Sequence, residues 1–270
     1  MKRVFALGLL AAAGVAIFGL SGKAEVYVGR RIQATAPLER IDHADWDRLL
    51  KTYVNDDGMV NYGVWHNNSA DRQALSQYLN HLSSGGATAN TPTDAKLAFW
   101  INAYNAVTIH GILREYPTSS IRNHTSKIGG YNIWKHLQLY VNGRPYSLNH
   151  IEHEILRKMN EPRIHFAIVC ASIGCPRLLN EAYTPDHVQE QLDTNARDFF
   201  SRRQNFRYTQ GQMWLSSLMN WFGADFGDSQ SSRLQRIARW LPTEQAQRAA
   251  LSGDARVKYL DYDWNLNEQR

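Results

Sequence analysis

Apolar positions along the chain recur mostly at the spacing of amphipathic helices, with a few short alternating runs between them. From Ala44 to Val54, Trp46, Leu49, Leu50 and Tyr53 share one helical face. Asn55-Asp56-Asp57-Gly58 then breaks the chain, and Met59 to Tyr62 reads as a short extended piece. A second helix is expected from about Ala70 to Leu82, followed by a flexible small-residue loop through Asn90. The next helix, from Pro92 or Thr93 to Tyr116, is of another kind. Leu97, Phe99, Trp100, Ile101, Tyr104, Val107 and Ile109 leave almost no polar face, and a helix apolar all round belongs at a domain centre. Asn102 and Asn105 therefore enter the core as amides that need partners.

Further on, Leu137 to Val141, Asn142-Gly143 and Arg144 to Ser147 read as a hairpin, because Asn-Gly supplies the two positive φ values of a type I′ turn. Ser147 is a good N-cap for a helix through Met159, which Glu161-Pro162 ends. The apolar run up to Cys170 is expected as a strand. Thr184-Pro185 opens another helix, lined by Val188, Leu192, Phe199 and Phe200. A second hairpin joins Phe206–Tyr208 to Met213–Leu215. Helices near 218–222, 233–241 and 244–251 lead to an extended close from Val257 to Trp264. Helices outnumber strands and the strands sit mostly in hairpins. The pattern predicts an α+β fold: a single helix-rich domain with a central buried helix and a small, mostly antiparallel sheet. Residues 25–43 read as a lead-in segment. Residues 44–267 read as one domain, since no repeat or long linker divides them.

The first 24 residues stand outside that pattern. Lys2 and Arg3 precede an apolar run from Val4 to Leu20, and Ser21-Gly22-Lys23-Ala24 comes next. This is the form of a signal peptide cut after Ala24, or of an uncleaved anchor tethering the chain through residues 4–20. Either predicts an exported protein, periplasmic or secreted. It also explains part of the basicity. Removing residues 1–24 takes Lys2, Arg3 and Lys23 and no acids, so the formal charge falls from +5 to +2. No run of like charge marks a nucleic-acid footprint.

Candidate chemistry gathers in one stretch. The only two cysteines, Cys170 and Cys175, lie five positions apart, and a histidine-bearing helix immediately precedes them. On that helix Leu148, Ile151, Ile155 and Met159 mark the core stripe, and Glu152 falls on it. His150 and His153 flank the stripe, while Glu154 and Arg157 are expected on the outer surface. A free thiol is mostly protonated at neutral pH, so a neighbouring imidazole is its usual activator. One reading makes Cys170 a nucleophile, His153 its base and Glu152 an orienting carboxylate. Backbone N–H groups after Cys170 would then form an oxyanion site, and His150, Asn102, Asn105 and Cys175 would contact substrate. The other reading pairs Cys170 with Cys175 as a disulfide in an oxidising compartment, with Glu152 salt-bridged and the two amides structural. His150, His153, His165 and the cysteines are suitable metal ligands, but their spacing matches no metal motif. No phosphate loop, dinucleotide fingerprint or serine-hydrolase elbow is present, so neither a metal nor a cofactor is expected.

Several runs together resemble one family. Phe99-Trp-Ile-Asn-Ala-Tyr-Asn105-Ala, Ser147 to Arg157, His165 to Pro176 and Tyr262-Asp-Trp-Asn-Leu-Asn267 occur in order, with Tyr183-Thr-Pro185 and Leu215 to Phe226 between them. They are similar to the domain of unknown function 547, over roughly residues 44–267. The family carries no settled activity. A papain- or transglutaminase-like relation, which the resemblance suggests, would place Cys170 or Cys175, His153 and a carboxylate or amide in a site. The expectation is a cysteine-dependent hydrolase or acyltransferase acting on an amide or thioester. Its rival is a non-catalytic module binding a peptide or a small thiol such as glutathione.

Overall fold

The computed structural model describes residues 25–126, 130–253 and 255–269, so the leader or anchor expected over residues 1–24 lies outside the described residues. The central element is the helix Thr93–Glu115, buried on every face between Ala95 and Leu113. Its two amides are fully used. Asn102 donates to Tyr183 C=O at 2.8 Å and accepts from Tyr183 N–H at 3.0 Å. Asn105 does the same for Ala167 C=O and Val169 N–H, both at 3.0 Å. Each side chain thus substitutes for a strand neighbour, satisfying buried backbone that would otherwise be orphaned.

Helices Ala44–Tyr53 and Ser69–Leu82 form where the periodicity predicts them and pack on the same core. A further helix, Tyr62–Asn67, starts at the end of the extended piece, with Asn61 accepting from Val64 N–H as its cap. The loop after Leu82 is more ordered than its composition suggests. Gly85–Gly86 pairs in parallel with Ala36–Pro37, and both glycines are buried.

Helical residues make up 51 % of the structure and the sheets are small, as α+β requires. The strand pairing differs from expectation. Both hairpins form, but Val26–Val28 joins the first in parallel and Arg256–Leu260 joins the second in parallel. With the Ala36–Pro37 pairing, three of the five strand pairings among the described residues are parallel, in three separate sheets. Hairpin signals are local. A parallel partner arrives from far along the chain and leaves no mark in the spacing.

Two other segments depart from expectation. The run before Cys170 is not a strand: Pro162–Phe166 is a 3₁₀ turn, and the arm beyond it is held by Asn105 rather than by a ladder. The helix after the first hairpin also changes pitch. After Leu148–His150, residues Ile151–Leu156 form a π-helical turn in which Arg157 N–H bonds Glu152 C=O, five residues back. The extra residue per turn rotates the next positions about the axis, and Arg157, expected outside, turns inward.

Two apolar clusters build the interior. One surrounds the central helix; the other, with Phe166, Phe199, Phe200, Met213 and Trp240, lies toward the C-terminal part of the chain. Among the described residues no helix is long and apolar enough to cross a membrane.

Candidate functional site

A cavity of about 190 Å³ opens where the two clusters meet. Tyr104 of the central helix, Glu152 and His153 of the π turn, Cys170 and Cys175 line it, together with Trp134, Trp221, Tyr262 and Trp264. The structure therefore brings Cys170, Cys175, His153 and Glu152 to one wall. Asn102, Asn105 and His150 are elsewhere. The two amides are committed to backbone in the core, and His150 packs edge-on against Tyr146 in an exposed position. None of these three lines the cavity, so the reading that put them against substrate loses them, and the amides take the structural role of the other reading.

The cysteines are bonded to each other, with Cα atoms 6.3 Å apart, and among the described residues no thiol is free. Two features hold this short ring. Ala171 takes a left-handed conformation, φ 54°, which reverses the chain between Cys170 and Ser172. The C-terminal segment then lies against the loop. Ile173 N–H bonds Asn265 C=O at 2.9 Å and Gly174 N–H bonds Asp263 C=O at 2.8 Å. Gly174 is required there: a Cβ would sit 2.9 Å from Asp263 N. With Cys175 N–H donating to Ser172 C=O at 3.0 Å, the N–H groups of Ile173, Gly174 and Cys175 are all occupied. These three are closed to an oxyanion; the site read from the sequence rests instead on the N–H groups of Ala171 and Ser172, directly after Cys170.

Tyr262 is the residue that periodicity could not single out. Its hydroxyl lies 3.1 Å from Cys170 Sγ, 3.0 Å from Cys175 Sγ and 3.2 Å from Ser172 Oγ. Cys170 N–H also donates to Cys175 Sγ at 2.9 Å. Burial pushes the Tyr262 phenol well up, so it stays a donor at neutral pH. Around it stand Trp221 and Trp264, their rings stacked at 5.8 Å, with Trp134 edge-on to Trp264 at 6.3 Å. Trp221 is 47 % exposed, an unusual position for an aromatic of that size at a cavity mouth. A closing Tyr-x-Trp after the extended run was the one sequence sign of this wall.

The charged side of the cavity is a network. Arg157 grips Asp225 with two bonds of 2.6 and 2.7 Å, and His165 Nε2–H donates to Asp225 Oδ2 at 2.7 Å. The Arg157 hydrogen bond, with His165 beside it, holds the Asp225 carboxyl below its usual range. Burial drives His165 down to about 4 despite that carboxylate, so its ring is neutral. Arg157 Nη1 also donates to His153 Nδ1 at 3.1 Å, which leaves the His153 proton on Nε2. Glu152 accepts from the Tyr104 hydroxyl at 3.1 Å, and burial raises its carboxyl above the ordinary value. Arg157 and Asp225 were not candidates from the sequence, because their pairing spans 68 positions. Among the described residues no cluster of side chains could hold a metal ion.

Residues 88–200 match the family model described as protein of unknown function, DUF547. No curated protein and no solved structure matches the chain.

Proposed function

We propose that in this chain, whose residues 88–200 match the DUF547 model of unknown function, the aromatic-walled cavity binds a small thiol, or the thiol-bearing end of a peptide, and presents the Cys170–Cys175 disulfide to it. The observation that carries this reading is the bond itself. Both sulphurs lie on the cavity wall, joined to each other, so a ligand entering meets a disulfide rather than a nucleophile. A disulfide is the natural electrophile for a thiolate. A space of about 190 Å³ suits one residue-sized group, and Trp221 and Trp264 offer flat apolar surface for it. The leader-like residues 1–24 fit this reading, since an exported chain works where disulfides persist. Whether that leader is cut or kept as a tether does not alter the chemistry.

A cysteine-dependent hydrolase or acyltransferase acting on an amide or thioester is the second reading, and it requires the reduced form. It is favoured by Cys170, His153 and Glu152 facing one cavity. Against it stands the engagement of His153 Nδ1 by Arg157. One pair of measurements separates the two. The oxidised protein is titrated with S-methylglutathione, which has no thiol to exchange, and tryptophan fluorescence is monitored. A saturable change, lost in Trp264→Ala, is expected; no change at millimolar ligand would overturn the binding reading. The reduced protein is then given p-nitrophenyl acetate and an acyl thioester. Turnover that disappears in Cys170→Ala would establish the hydrolase reading in its place.

A further inference from the structure

The two sulphurs of the ring are not equivalent, and their surroundings set a direction for exchange. Cys170 is partly exposed, whereas Cys175 is only 6 % exposed, so an incoming group reaches Cys170 first. The hydroxyls of Tyr262 and Ser172 reach both sulphurs, at 3.1 and 3.2 Å from Cys170 Sγ and at 3.0 and 3.5 Å from Cys175 Sγ, so the backbone donor is what separates them. Cys175 Sγ accepts from the Cys170 N–H at 2.9 Å and from the Tyr262 hydroxyl at 3.0 Å. Ser172 donates to Tyr262 at 3.2 Å, which frees the phenol proton to point at sulphur. A backbone donor of this kind is fixed in place by the Ala171 turn and costs no reorganisation when charge develops on the sulphur.

We propose that the site is a directional thiol–disulfide exchange centre in which a small thiolate attacks Cys170 and Cys175 leaves as a hydrogen-bonded thiolate. The proposal rests on the thiol-binding reading above and adds which sulphur reacts. In the step, the small thiol gives its proton to solvent and its sulphur forms a new S–S bond to Cys170 Sγ. The Cys170–Cys175 bond breaks, and its electron pair stays on Cys175 Sγ, where the Cys170 N–H and the Tyr262 hydroxyl receive it. The small thiolate is the reductant, and no other electron carrier is needed. Exchange is faster when the leaving thiolate is stabilised, which is what those two donors supply. Tyr262 touches both reacting sulphurs and is thus a catalytic residue of this step. Reclosure takes the same path backwards: Cys175 attacks Cys170 and expels the small thiol.

The test uses the wild-type oxidised protein and reduced glutathione. The reaction is stopped early with excess N-ethylmaleimide and the cysteine peptide is mapped by mass spectrometry. Glutathione on Cys170 with the maleimide on Cys175 is the expected outcome. Glutathione mainly on Cys175, an even mixture, or an unmodified pair would each overturn the direction proposed. Because S-methylglutathione reports binding without exchange, a failure of binding and a failure of regiochemistry are distinguishable. A second measurement concerns Tyr262→Phe, which keeps the ring and removes the donor. Opening by glutathione should slow about tenfold, the scale of one hydrogen bond to a charged group. In its reduced form the alkylation-versus-pH profile of Cys175 should move to higher pH, and by more than that of Cys170. A merely structural role for Tyr262 would leave the Cys175 profile unmoved and so refute the assignment.

Discussion

Single side chains in this protein do work that secondary structure does elsewhere. Asn105 is the clearest case. It sits on the central helix and closes both a donor and an acceptor of the arm that leads to Cys170. Asn105→Ala leaves Ala167 C=O and Val169 N–H buried without partners, at about 1–3 kcal/mol for each orphaned group. Urea unfolding should therefore show a loss of about 2–6 kcal/mol, and the cavity wall should loosen with it. A neutral result would mean that water takes both positions. That Asn105 needed a partner was legible from the sequence, because an amide on an all-apolar helix has no solvent to turn to. Which backbone it meets was not, since Ala167 is 62 positions away.

At the scale of elements, the short ring between Cys170 and Cys175 separates stability from chemistry. A closed loop of about six residues constrains the unfolded chain by only about 2 kcal/mol. The double variant Cys170→Ser with Cys175→Ser should thus stay folded and lose no more than about 2 kcal/mol in urea unfolding, while losing all reaction with glutathione. A loss much beyond that would mark the disulfide as a structural staple and weaken the exchange reading. The neighbouring π turn makes a related point. The sequence places Glu152 on a core stripe, and the structure does bring it to a partly buried position against Tyr104. Arg157 escaped the same reasoning because the stripe was drawn with α-helical spacing. One wider turn brought it to Asp225, and through it His153 is pinned.

For the whole molecule, burial of histidines sets the response to acid. His43, His110 and His165 are each pushed down to about 4, in every case mainly by burial. Unfolded, each would titrate near about 6.5. Between these values the unfolded chain binds more protons than the folded one, so stability falls as pH drops from about 6.5 toward 4. His165 alone accounts for up to about 3 kcal/mol over that range. Glu152 acts with the opposite sign, because its raised carboxyl favours the folded state on the acid side. Asp225, held low, gives up its contribution only below this window. Three histidines against one carboxyl leave a net loss. Urea midpoints should fall steeply between about pH 7 and 4.5, and less steeply in His165→Gln. A flat profile would mean that the three rings are hydrated.

By itself the sequence determined the longer amphipathic helices, both hairpins, the buried central helix and the segment holding both sulphurs. Those features rest on spacing of about 3.6 or 2 residues and on local turn chemistry, which operate within about a dozen positions. Only the tertiary structure decided that Cys170 and Cys175 are bonded, that Tyr262 stands over both, and that Arg157 and Asp225 tie down His153. The Tyr262 contacts span 87 to 92 positions and the Arg157–Asp225 pair 68. A hydrogen bond depends on distances of about 3 Å and a fixed direction, and no periodicity carries that across so much intervening chain.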